Sequence, residues 1–119
     1  MAPAATKKHQ IISREIIFQL QSNLDKNDCK ECEAFYEVDW KVDNQTVVRP
    51  DVLVVCNDNS TNYLTKTPKI IAEIISPSTA KIDESIKFKI YQKEGVKFYI
   101  LVYPDDLIAK IYELKMVNI

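Results

Sequence analysis

Residues 68–83 read PKIIAEIISPSTAKID. Ile70, Ile71, Ala72, Ile74 and Ile75 make a nearly continuous apolar run of strand length, the pattern of a strand covered on both faces. One carboxylate, Glu73, stands inside that run. Burying it is costly unless it is paired or holds a cation. The stretch therefore decides the fold class and also marks a candidate site.

Downstream, SPSTAKIDESIKFKIYQKEGV repeats isoleucine at 82, 86 and 90. That i, i+4, i+8 spacing predicts a helix with an apolar stripe, closed by Gly95 at its C-terminus. KFYILVY and LIAKIYEL then read as two strands joined by the turn PDD. A buried strand, a helix and a second strand predict a right-handed β-α-β crossover.

Upstream, HQIISREIIFQLQSNL carries apolar residues at 12, 16, 17, 20 and 24, the face of an amphipathic helix. DKNDCKEC reads as a loop. EAFYEVDWKV alternates as a half-buried strand, DNQ is a turn signal, and TVVRPDVLVV is a second strand. Pro50 inside it argues for an edge, a bulge or an irregular start. CNDNSTNYLTKT is a polar loop. The predicted order is helix, three strands, helix, two strands: a mixed central sheet flanked by helices, an α/β fold.

With 119 residues, of which 46% are hydrophobic, the chain is expected to build one core. Its formal net charge of -1 points to neither nucleic acid nor membrane, although a local basic patch is compatible with it. No apolar stretch reaches the ~18 residues of a membrane span, and MAPAATKK has no apolar signal region, so the expected location is cytoplasmic. Three cysteines include Cys29 and Cys32 in a C-x-x-C. In a reducing compartment they are expected to be free thiols, since a structural zinc site needs a second ligand pair and Cys56 and His9 are badly spaced for it.

Asp51 and Glu73 both lie in or beside apolar strands. On neighbouring strands they would converge, and close carboxylates repel unless one is protonated or a cation lies between them. A hard cation such as Mg²⁺ accepts one or two carboxylates plus water, an arrangement suited to phosphoryl chemistry. The alternative is structural: Asp51 capping a turn or pairing with Arg49, and Glu73 pairing with a lysine. Asp83, Lys87 and Tyr91 form a second stripe about 100° from the isoleucines, at the margin of the core. Lys87 there either pairs with Asp83 at the surface or reaches the carboxylates.

The strings RPDVLVV (49–55), EIISPST (73–79), D-x-x-x-K-x-x-x-Y (83–91) and GVKFYILV (95–102) resemble the Uma2 family of the PD-(D/E)XK restriction-endonuclease-like superfamily. The resemblance covers about residues 9–115. It implies a restriction-endonuclease-like α-β-β-β-α-β core, with a disordered or truncated N-terminus over 1–8 and a single nuclease-like domain over 9–119. It also implies metal ligands at Asp51, Glu73 and the Ile75 carbonyl. The superfamily's usual lysine position holds Ile75, so the resemblance moves that role to Lys87, supported by Tyr91, Asp83 and Glu15. Lys69 is the other candidate, but lies about 13 Å from Glu73 along the same strand at ~3.3 Å per residue.

The implied activity is Mg²⁺- or Mn²⁺-dependent hydrolysis of DNA phosphodiester bonds. Its rival is an inactive or truncated nuclease-like module that binds DNA or protein. A redox or zinc role for Cys29 and Cys32 is a third reading. Members of the family carry further residues before the H-x-x-I helix, so surface left uncovered here is expected to be closed in a homodimer. His9 is expected to be structural or solvated.

Overall fold

The computed structural model describes residues 6–115. Helix α1 runs Lys7–Lys26, and Thr6 caps it by accepting the His9 N–H on its side-chain hydroxyl. Lys7 and Lys8 are therefore helical, not part of a disordered N-terminus, while residues 1–5 of that expectation lie outside the described residues. Strands follow as β1 (Cys32–Tyr36), β2 (Trp40–Lys41), β3 (Val47–Val48), β4 (Val52–Cys56) and β5 (Ile70–Ile74). A π-helical turn, Ile82–Ile86, leads into α2 (Lys87–Glu94), then β6 (Phe98–Tyr103) and β7 (Ile108–Glu113).

The main sheet has five strands in the order β1-β4-β5-β6-β7. Only β5 and β6 are parallel, as the crossover through α2 requires. The expected α-β-β-β-α-β series is thus present as α1, β1, β4, β5, α2 and β6, in a mixed sheet. Gly95 closes α2 in the left-handed region at φ 88°, and the Val96 N–H returns to the Tyr91 carbonyl.

Two predicted strands are each broken. EAFYEVDWKV divides into β1 and β2, with Glu37 at φ 54° between them, and TVVRPDVLVV divides at Arg49-Pro50 into β3 and β4. β1 and β4 pair antiparallel up to Tyr36 opposite Val52, and the same chain segments resume as the β2–β3 hairpin, with Trp40 opposite Val48. Proline offers no N–H to the ladder, and the Arg49 guanidinium clamps the Asp39 carboxylate at 2.8 Å across the break. The hairpin peels away and carries Trp40 into the core.

Leu53, Val55, Ile71, Tyr99 and Leu101 point to the α2 side of the sheet and form one cluster with Trp40, Leu64 and Tyr91. Val52, Val54, Ala72 and Ile74 point the other way, where α1 lies over β1, β4 and β5. The face of α2 differs from the one the isoleucine spacing predicts. Ile82 and Ile86 are exposed, whereas Asp83 and Tyr91 are buried. Asp83, Lys87 and Tyr91 are the stripe that meets the sheet, because a polar group already stands there to receive them.

The cysteines also differ from expectation. Cys32 and Cys56 face each other in the β1–β4 register and form a disulfide, leaving Cys29 as the free thiol. The C-x-x-C spacing places Cys29 in the loop before β1, so it is strand register, not sequence proximity, that selects the partner.

Candidate active site

Extending the β4–β5 register by one residue sets Asp51 opposite Glu73. No ordinary backbone ladder continues there. Instead the Asp51 N–H donates to Glu73 Oε1 at 2.8 Å, and the Ile74 N–H donates to Asp51 Oδ2 at 2.8 Å. Each carboxylate thus replaces a carbonyl that would have closed the sheet. Proline at position 50 frees the backbone to turn at this point.

Glu73 Oε2 accepts from Lys87 Nζ at 2.8 Å and from the Tyr91 hydroxyl at 3.2 Å. The Lys87 ammonium also lies 3.0 Å from Asp83 Oδ1, off the line of a hydrogen bond, so that buried oxygen has a charge beside it but no directed donor. Tyr91 is held by stacking on Trp40 and by an edge-to-face contact with Tyr99. Lys87 and Asp83, with Asp51, line a cleft of about 700 Å³ walled by α1, by the start of β4 and by the loop Ser76–Thr79, while Glu73 and Tyr91 lie buried behind them.

His9 comes to the same place. Its Nε2 stands 3.2 Å from Asp51 Oδ1, while its Nδ1 is buried without a partner. Of the two places expected for it, structural or solvated, the structure gives a partly buried ring paired with Asp51. The signal was present: His9 continues the stripe of Ile12 and Ile16 at helical spacing. Glu15, in contrast, is not brought to the site. Six residues beyond His9 on α1, it is exposed and bonded to Gln19. Lys69 is exposed at the opposite end of β5. Ile75 lines the cleft, with its N–H on the Val102 carbonyl.

Three carboxylates, Asp51, Glu73 and Asp83, face one ammonium, Lys87, so with all three ionised and His9 neutral the cluster carries two more negative charges than positive. Burial pushes Glu73 up to about 7, with the neighbouring Asp51 adding to the rise and Lys87 opposing it. Burial likewise raises Asp51, against the Ile74 N–H and the cations. For Lys87, burial pulls downward, but Glu73 and Asp83 outweigh it and hold the ammonium charged above its usual range.

Excess negative charge on convergent oxygen donors fits a hard divalent cation, which would remove the charge imbalance. Among the described residues no group of three or more His, Cys, Asp or Glu side chains is placed to hold a metal ion.

The sequence pattern of the Uma2 family, described as "Putative restriction endonuclease", matches residues 1–118. The chain is 29% identical over 111 residues to "Uncharacterized protein slr1290" of Synechocystis, covering 90% of this chain and 57% of that protein. It therefore spans little more than half the length of that curated relative. In fold it is similar to the crystal structure of "a putative nuclease belonging to DUF820" from Anabaena variabilis. The TM-score is 0.79 at 20% identity, over 94% of this chain and 65% of the other. That likeness shows the mixed-sheet architecture. The family match covers nearly the whole sequence, so the chain belongs to the Uma2 family.

Proposed function

We propose that the chain is a metal-dependent endonuclease that hydrolyses DNA phosphodiester bonds. The observation that carries this reading is the meeting of Asp51 and Glu73 at one point of the sheet with Lys87 on Glu73. Asp51, Glu73 and the Ile75 carbonyl would hold Mg²⁺ or Mn²⁺. When bound, such an ion supplies Lewis-acid neutralisation of phosphate charge and lowers the pKa of a bound water.

Lys87, kept charged between two carboxylates, donates and does not accept protons. It orients the attacking water and offsets charge growing on the phosphate oxygens. Tyr91 fixes the Glu73 carboxylate from beneath, and Asp83 holds Lys87 from the far side. Hydrolysis joins the water oxygen to phosphorus, breaks one phosphorus–oxygen ester bond and leaves a proton on the departing oxygen. The test is cleavage of supercoiled and linear DNA with Mg²⁺ or Mn²⁺. Glu73→Gln and Asp51→Asn should abolish it, and cleavage indifferent to both would refute the assignment.

One observation favours an inactive binding module instead. Both Glu73 oxygens are already occupied by protein donors. Calorimetry that finds no divalent-ion binding in a folded sample decides for that reading.

Homodimerisation is the proposed state. Among the described residues α1 packs chiefly on β1, β4 and β5, and beside and within β7 Leu107 and Ile111 are 90% and 68% exposed. Antiparallel pairing of β7 with its twin about Ile111 would bury that residue against its counterpart and set Lys110 across from Tyr112. Ile111→Glu should then shift sedimentation from dimer to monomer. Among the described residues no helix is long and apolar enough to cross a membrane. With DNA as the proposed substrate, the proposed location is the cytoplasm.

A further inference from the structure

The turn Ile82–Ile86 closes i→i+5, with the Lys87 N–H donating to the Ile82 carbonyl. It holds one more residue than an α-turn, so its side chains step by less than the about 100° of an α-helix. Residues four apart, such as 83 and 87, then sit closer to eclipsed. That alignment lets Lys87 Nζ lie 3.0 Å from Asp83 Oδ1 while it reaches Glu73 Oε2 at 2.8 Å. It also turns Ile82 and Ile86 outward.

Such a turn leaves one carbonyl without its helical donor. Returning from i+5 to i+4 spacing passes over one carbonyl, and an unpaired buried carbonyl is costly. The carbonyl that follows the Ile82 acceptor is that of Asp83, and it accepts the Tyr99 hydroxyl at 2.9 Å. Tyr99 stands on β6 with no exposed surface. Its ring is fixed by edge-to-face contacts with Tyr91 at 5.0 Å and Phe88 at 5.8 Å. The hydroxyl therefore has a set direction, and it reaches across from the sheet to the turn that departs from α-geometry.

We propose that the Tyr99 hydroxyl is the clasp of this π-turn, and that Tyr99 is thereby a positioning residue for Lys87. The catalytic half of the inference rests on the nuclease reading, and the structural half stands without it. Tyr99→Phe removes only the oxygen. Amide hydrogen exchange should quicken at least about tenfold at Lys87 and Phe88 and stay unchanged in β4 and β5. Tyr91→Phe removes a hydroxyl of equal burial that bonds Glu73 directly, and should leave the Lys87 amide within about threefold of wild type.

If wild type cleaves DNA, Tyr99→Phe should lower kcat about tenfold with KM and divalent-ion affinity little changed, as for a displaced charge that acts in the transition state. A double-mutant cycle with Lys87→Met gives a readout free of activity. The factor by which Tyr99→Phe lowers the folding constant should shrink at least about threefold when Lys87 is already gone. Unchanged exchange at Lys87 together with additive stabilities overturns the clasp. Failure of wild type to cleave any DNA overturns the nuclease reading and leaves the exchange and cycle tests standing.

Discussion

Asp58 and Glu73 are both carboxylates rich in donors, yet they shift in opposite directions. In the loop between β4 and β5, Asp58 accepts from the Ser60 N–H and hydroxyl and from the N–H groups of Thr65 and Lys66. Burial there raises its pKa, and the Ser60 hydroxyl and three backbone N–H groups together overcome that, taking it down to about 2. Glu73 accepts three bonds, but burial dominates, with Asp51 as a second acid close by, and its pKa rises to about 7. Hydrogen bonds alone do not set the direction of the shift. Removal from water beside like charge does, and that is the environment that welcomes a cation or a proton.

Four measurements can break or sharpen this contrast. The largest effect belongs to the exchange of charge for amide: Glu73→Gln should lower DNA cleavage by about 10³-fold or more, whereas Asp58→Asn should leave it within about twofold. A plasmid-nicking series compares them directly. Next, Lys87→Met leaves Glu73 and Asp83 without their cation and should cost about 3 kcal/mol in urea denaturation. Adding Glu73→Gln should restore part of that loss.

The two acids should also tilt metal-free stability in opposite senses. Glu73 binds a proton more tightly folded than unfolded, so its part favours the folded chain at low pH and weakens as pH rises from about 4.5 to about 7. Glu73→Gln should flatten that slope. Asp58 releases its proton more readily when folded, so its contribution is present above the ordinary value of 3.8 and is lost as pH falls towards about 2. Thermal melts across pH, with each variant, check both signs. The smallest effect is Asp58→Ala, expected to cost about 1 kcal/mol, with no change in metal affinity.

Much of this architecture was legible because period and composition report burial. The apolar run at 70–75, the stripe of α1 and Gly95 each carry a local signal that tertiary packing leaves intact. What was not legible depended on geometry that hydropathy does not encode. Ile82 and Ile86 look like core residues, but the i→i+5 turn and the waiting Glu73 bring Asp83 and Lys87 inward instead. The breaks at Glu37 and Pro50 divide two continuous strands, and only the proline announces itself. Asp51, Glu73, Lys87 and Tyr91 meet where their spacing and the family resemblance place them. His9 escaped notice because its partner is 42 residues away in sequence.

The paired bonds between the two acids carry a further consequence for how the sheet assembles. The Asp51 N–H is held by the Glu73 side chain, and the Ile74 N–H by the Asp51 side chain. Sliding β4 past β5 by one residue would break both bonds together and leave the two acids on opposite faces of the sheet. The carboxylates therefore act as a registration pin, telling two otherwise interchangeable aliphatic strands how to align. An amide at either position keeps an acceptor for the pin while discarding the charge. An alanine discards both, so the folding fault it introduces would hide what the charge was for.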